Sequence, residues 1–240
     1  MKKRVPVKKL LPIYALVLIS CLCVAHFGSG AVTVMVENAP IERRTCIIVD
    51  AGHGGIDGGA TSCSGVLESQ INLEIALRLN DLLQFLGYET VMIRTTDTSI
   101  YTEGNTIAAQ KVSDLKQRVK LVNETENGIL ISIHQNTFPD GRYSGAQVFY
   151  ANDDSSKALA KQMQSVFKET LNPGSKRQCK PSDGIYLMQN ITRPGVLIEC
   201  GFLTNPEEEA RLRDGVYQKN LVCVIASGVS QYCAVPLPQS

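Results

Sequence analysis

The stretch CIIVDAGHGGIDGG, Cys46 to Gly59, sets an apolar run against a glycine-rich one. A short apolar run without polar alternation is the pattern of a strand covered on both faces, as in a parallel sheet. The glycines that follow permit a tight loop and a close approach by other groups. Such loops can cradle phosphate, but two specific signatures fail here. There is no GxxxxGK[ST], and Asp57 stands where a dinucleotide fingerprint needs its third glycine. What the loop carries instead is His53, at the carboxyl end of a strand, where open α/β sheets place their sites.

Outward from this stretch, short apolar runs alternate with amphipathic ones from Thr45 to Cys233, the signature of an α/β domain. Ile71, Ile75, Leu79, Leu82 and Leu86 trace one face of a helix that Gly87 is placed to end. Glu89 to Arg94 reads as a strand, and Thr95 to Lys111 as a long polar surface loop, of a length that points to a role at the site. Leu115, Val119 and Val122 mark a second helix, and Gly128 to His134 a central strand. Ala146 to Tyr150 is a further strand, followed by a helix with Leu159, Met163 and Val166 inward. Ile185 to Met188 and Val196 to Cys200 are the remaining strand candidates. Asn205-Pro206-Glu207-Glu208 supplies an N-cap, a proline at the first helical position and following acids. The last helix carries Val222, Ile225, Val229 and Tyr232. No internal repeat and no second core are visible.

The chain has 240 residues, 44% hydrophobic and 20% charged, which excludes disordered, collagen-like and heptad-dominated classes. Its net charge of +1 conceals an asymmetry. Five of the 24 basic residues, Lys2, Lys3, Arg4, Lys8 and Lys9, precede an uncharged run, leaving 19 against 23 acidic residues, about −4 for the rest. The basic head and LLPIYALVLISCLCVAHF have the pattern of an export signal or signal anchor. As a helix the apolar run would span roughly 27 Å. The positive-inside rule keeps the lysines cytoplasmic and sends the remainder out, membrane-associated or secreted. Cleavage near Ala31 or retention is favoured over lipidation at Cys21. The expected division is 1–31 signal or anchor, 32–44 spacer, 45–233 catalytic domain and 234–240 tail. Mild acidity is poor for grasping nucleic acid or other polyanions by charge. No CxxC spacing occurs among the eight cysteines, and Cys46 and Cys200 read as small core residues.

Beyond the N-terminal segment there are two histidines, His53 and His134, and both end strands. Two imidazoles, a carboxylate and a position left for water form the ligand set of a catalytic zinc site. Glu68 is the candidate carboxylate, at the start of the first helix; an acid there also suits the helix dipole. The HExxH helix is absent. A metal-activated water needs a base, and Glu199 lies in the otherwise apolar VLIEC, where an unpartnered carboxylate is costly. Glu199 could instead pair with a buried arginine. Asn136 reads as a substrate contact or a turn residue, Arg118 as a helix-face charge and Asn123 as a C-terminal cap.

VDAGHGGIDGGA, LESQINLEIA, LKQRVKLVN, SIHQN and RPGVLIECGFLTNPEE together resemble the zinc-dependent N-acetylmuramoyl-L-alanine amidases of bacterial cell walls, from about Cys46 to Tyr232. GIYLMQNITRPG and the Thr96 to Asp114 loop are most similar to the germination-specific type of spore formers. The resemblance implies an α/β sheet of about six mostly parallel strands flanked by helices. It implies His53, Glu68 and His134 as zinc ligands, Glu199 as catalytic acid/base, and hydrolysis of the amide between the lactyl group of N-acetylmuramic acid and L-alanine. The implied substrate is spore-cortex peptidoglycan, where stem removal precedes muramic-δ-lactam formation. Gln135 fills a position where relatives often have Ala or Leu, which bears on groove shape. Neither wall-binding repeats nor an autoinhibitory helix is visible, so an exported accessory protein is a candidate partner. The alternatives are a zinc peptidase acting within the stem peptide and an inactive wall-binding module.

Overall fold

The computed structural model describes residues 45–234, and the stretch read from sequence as a signal or anchor lies outside them. Six strands form one sheet in the order β2-β1-β3-β6-β4-β5. They are β1 (Cys46–Ala51), β2 (Glu89–Met92), β3 (Gly128–Asn136), β4 (Gln147–Tyr150), β5 (Lys180–Pro181) and β6 (Gly195–Phe202). The pairings β2-β1, β1-β3 and β3-β6 are parallel; β4 runs antiparallel to β6, and the two-residue β5 lies parallel to β4. Among the described residues no helix is long and apolar enough to cross a membrane.

Helices α1 (Glu68–Phe85), α3 (Asp154–Thr170) and α6 (Gly215–Cys233) cover one face. There Ile47, Val49, Ile131, Ile133, Val196 and Ile198 meet Ile75, Leu79, Leu159, Met163, Ile225 and Val229, all fully buried. Each such side chain contributes about 1.5–3 kcal/mol by leaving water, and truncating Leu79 to alanine should cost about 2–5 kcal/mol. Helices α2 (Ile107–Glu124) and α4 (Tyr186–Asn190) cover the other face, over Ile48, Leu130 and Leu197. With both faces covered, the central strands can be continuously apolar, as β1 is. Asn205 caps α5 (Pro206–Arg213), accepting from the Glu207 and Glu208 amides with Pro206 at the helix start.

Four expectations need correction. Ile185 to Met188 is no strand: Ile185 caps α4, and the strand lies upstream at Lys180–Pro181. The run is too short to separate a period of 2 from one of 3.6. The long loop ends where Thr106 caps α2, so Ile107 to Lys111 is helical. On α1 the buried stripe ends at Leu83; Leu82 is half-buried and Leu86 half-exposed, because the helix stops at Phe85 and Gly87 takes φ 89°. Asn123 does not cap its own helix. Its amide donates to the Asn190 carbonyl (3.1 Å) and its oxygen accepts from the Thr192 amide (2.7 Å), tying α2 to the end of α4. All six cysteines among the described residues are free, with Cys46 and Cys200 buried in apolar surroundings as expected.

Candidate metal centre

His53, Glu68 and His134 converge at the carboxyl edge of the parallel strands, with one potential ligand atom from each lying within 4.8 Å of the others. Chain topology explains the convergence. β1 delivers His53 into the glycine loop, and β3 carries His134 beside it. The chain returns from that loop at Glu68, the first residue of α1. The returning loop is pinned by its backbone: the Glu68 amide donates to the Ala60 carbonyl (2.8 Å) and the Ser69 amide to that of Gly58 (3.1 Å).

Glu68 is buried, with both oxygens directed at the histidines: Oε2 is 3.3 Å from His53 Nε2 and Oε1 is 3.1 Å from His134 Nδ1. Burial opposes its ionisation, but the two histidines hold the carboxyl well below its ordinary range. The Ala60 amide (3.0 Å) binds Oε2, while the Gln135 amide (3.1 Å) and Asn72 Nδ2 (3.2 Å) bind Oε1. The His53 Nδ1 lies 2.9 Å from Asp57 Oδ2, fixing the ring so that Nε2 faces the cluster, the outer-shell arrangement common to metal-binding histidines. Burial works to lower the His53 pKa, yet Asp57 and Glu68 push it up to about 9. Surroundings that favour a cation this strongly suit a metal. His53 itself has φ 62°, a left-handed conformation uncommon for a side-chain-bearing residue and characteristic of functional sites. Gly52 is required by proximity: a Cβ there would lie 2.2 Å from His134 Nε2.

Glu199 is the register partner of His134 on β6, so the two side chains share a face. Its Oε2 is buried with no hydrogen-bond partner. Burial pushes its carboxyl up to about 7, with His134 and His53 pulling down and Glu68 pushing up. The structure therefore brings the four sequence candidates together. Asn136, also singled out, lies half-buried at the end of β3, past a register shift that follows His134.

Sequence reasoning missed the support behind the cluster. Arg118 is no helix-face charge. It is buried, pairs through Nη1 with Asp50, donates to Asp114 (2.6 Å), and reaches the carbonyls of Ala51 (3.1 Å) and His53 (2.7 Å). Ser132 donates to the other Asp50 oxygen (2.6 Å). Arg94 is buried too, donating to the carbonyls of Ala51 (2.8 Å), Gly52 (3.0 Å), Ser69 (2.8 Å) and Thr96 (3.0 Å). Two guanidinium forks thus grip the successive carbonyls of Ala51, Gly52 and His53. The polar loop before α2 bears on the site as its length suggested, but as a brace: Asp97 accepts from the Gly55 amide (3.0 Å) and Ser99 donates to the Gly54 carbonyl (2.6 Å). Gln135 does not shape a groove. Strand alternation turns it to the α1 face, buried, donating to Asn72 (3.1 Å), which in turn holds Glu68.

Fold and site together define a hydrolase whose histidine and carboxylate side chains gather, in metal-ligand fashion, at the edge of a parallel sheet. Residues 47–231 match the N-acetylmuramoyl-L-alanine amidase family, and the chain belongs to it. Over 188 residues it is 42% identical to the germination-specific N-acetylmuramoyl-L-alanine amidase of Bacillus subtilis, covering 78% of each chain. The CwlD amidase of Clostridioides difficile, solved in complex with the GerS lipoprotein, superimposes with a TM-score of 0.77 at 38% identity, covering 80% of this chain and 100% of that one. The catalytic domain of CwlV, the N-acetylmuramoyl-L-alanine amidase of Bacillus (Paenibacillus) polymyxa var. colistinus, gives 0.67 at 30% identity, covering 80% and 99%. The protein is thus an amidase acting on peptidoglycan.

Proposed function

We propose that the protein is a zinc-dependent amidase of spore-cortex peptidoglycan, cleaving the bond between the muramic lactyl carbonyl and L-alanine so that muramic-δ-lactam can form. The observation that carries this reading is the cluster of His53, Glu68 and His134 with the unpartnered Glu199 carboxylate beside it. Two imidazoles and one carboxylate fit zinc by donor type and number. A bound zinc supplies Lewis-acid polarisation of the scissile carbonyl and makes a water acidic near neutral pH.

The chain's own residues do the rest. Asp57 holds His53 in the tautomer that presents Nε2, and the amides of Ala60 and Gln135 hold Glu68 ionised. Glu199, with its carboxyl brought near neutrality by burial, takes a proton from the attacking water and returns it to the departing alanine nitrogen. Asn136, at the mouth of the strand, contacts the substrate. The cortex assignment is supported by the germination-specific relative at 42% identity. The signal-like N-terminus supports export, with residues 45–233 as the catalytic domain. The GerS complex of the CwlD relative supports an exported accessory lipoprotein as partner.

The test is mass spectrometry of products from purified cortex and vegetative sacculi, with and without added zinc. Intact free stem peptides and unsubstituted lactyl groups are expected from cortex in a zinc-dependent manner; cuts inside the stem would make the protein a peptidase instead. Glu199→Ala should retain bound metal and lose turnover by about 10²–10⁴-fold, the range for a positioned acid/base. Unchanged release would remove Glu199 from the mechanism.

A further inference from the structure

The cavity at the cluster itself is only about 180 Å³, smaller than the roughly 300–1,000 Å³ typical of sites for sizeable ligands. A glycan strand carrying a peptide must therefore extend beyond it. On the β4 side of Glu199 lies a second cavity of about 820 Å³. Gln147, which lines this larger cavity, is the register partner of Glu199 across the β4-β6 pair, one strand or about 4.8 Å away.

The larger cavity is cationic. Lys176, Arg177, Lys180 and Arg211 line it, and among the described residues none of the four forms an ion pair. The acid at its wall, Glu208, is buried and occupied by the Gly145 and Phe202 amides, both at 2.9 Å. Arg177 is held in place: its guanidinium stacks 4.9 Å over the Phe202 ring, and its Nε donates to the Ser144 carbonyl (3.0 Å). Lys176, Lys180 and Arg211 are exposed. Four like charges around one cavity repel one another, an arrangement that stabilises the protein only when an anion enters.

We propose that this cavity is the subsite for the stem peptide, and that its cations bind the peptide's free carboxylates. The inference rests on the amidase reading above and specifies where its substrate lies. The choice of ligand follows from charge. In a glycan strand with its lactyl groups amide-linked, the sugars are neutral, whereas the stem carries carboxylates at its γ-linked glutamate and its C-terminal residues. The peptide is thus the anionic part of the substrate next to the scissile bond, and the cations gather beyond Glu199 on the β4 side, from the loop after α3, β5 and α5. Lys176 and Lys180 meet the carboxylates as mobile point charges, while Arg177 offers its remaining N–H groups from a fixed plane.

The test is equilibrium binding to the full chain of the peptide L-alanyl-γ-D-glutamyl-diaminopimelate, in its free-acid form and with its carboxylates amidated. Amidation should weaken binding by about tenfold, in line with two partly exposed charge-assisted contacts. Lys176→Gln/Lys180→Gln should weaken binding of the free acid by a similar factor and leave the amidated peptide unaffected, while Lys176→Arg/Lys180→Arg restores it. A preference for the free acid that persists in the glutamine variant, as when the carboxylate sits on the metal, overturns the proposal. So does inorganic phosphate competing as well as the peptide binds at matched ionic strength. Because the readout is binding, it stands apart from product analysis: cleavage at a different bond would remove the amidase reading while leaving the peptide contrast measurable.

Discussion

The two flanks of Glu199 are built on opposite principles. On the β1-β3 side charged groups are engaged: Arg118 pairs with Asp50 and Asp114, Asp57 with both Lys111 (2.7 Å) and His53, and Arg94 is taken up by backbone carbonyls. On the β4-β5 side four cations line a cavity without an ion-pair partner among the described residues. The first flank fixes the positions of ligand atoms, which tolerate errors of only about 0.5 Å. The second leaves its charges unsatisfied, as a surface that receives a ligand should. Stability and recognition are thus assigned to opposite sides of Glu199.

The sharpest way to break this division is to unpair the first flank. Arg118→Met removes the cation from a buried network and leaves Asp50 without its counter-charge, which should cost about 3–5 kcal/mol, read as a fall in denaturation midpoint. A loss near that of an exposed pair, under about 1 kcal/mol, would show that the network carries no structural load. Gly52→Ala follows in size. The new Cβ would overlap the His134 ring, so the ring must turn away; metal content should fall together with activity, by about a hundredfold or more, since misplacement by about 1 Å can cost that much. Full metal occupancy in this variant would mean that His134 does not bind through its present orientation.

Acidity probes the same pair more gently. Burial alone would raise the Asp50 pKa, but the Arg118 guanidinium and the Ser132 hydroxyl overcome it and hold the carboxyl below its usual range. A carboxylate whose folded pKa is depressed stabilises the fold above its unfolded value, about 3.9, and loses that contribution as pH falls through the lower folded value. In Arg118→Met the sign reverses, because burial then acts unopposed and the folded pKa rises above the unfolded one. The stability gap between the two proteins should therefore be widest at pH 7 and shrink as pH falls to about 4. Thermal melts across that interval check it, and a constant gap would remove Asp50 as the cause.

What the sequence disclosed follows the same division. His53, His134, Glu68 and Glu199 were legible because each is chemically out of place locally, as histidines at strand ends, an acid where the chain returns to the sheet edge, or an acid in an apolar strand. Arg118 was not, since a charge on an amphipathic helix looks solvated until its partner, 68 residues away, is known. Gln135 misled for a related reason. It sits between His134 and Asn136, but alternation along β3 sends it to the opposite face, where it braces Asn72 rather than lining a groove. The cationic cavity was hidden in a different way. A domain of about −4 gave no sign of it, because Lys176, Arg177 and Lys180 come together with Arg211 only when the loop after α3 folds back against α5. Net charge is a statement about the whole surface, and recognition is local.

The smallest expected effect is the most discriminating. If the second flank exists to receive an anion, its charges do not support the fold, so Lys176→Gln/Lys180→Gln should leave the melting temperature of the free protein unchanged or raise it by about a degree through relieved repulsion. The same melts with the free-acid stem peptide present should then separate the proteins, because a ligand that binds only the folded state stabilises in proportion to its occupancy. The original protein gains melting temperature from the peptide and the variant gains less. A marked loss of stability in the unliganded variant would instead place Lys176 and Lys180 with Arg118, as structural charges, and the contrast between the two flanks would disappear.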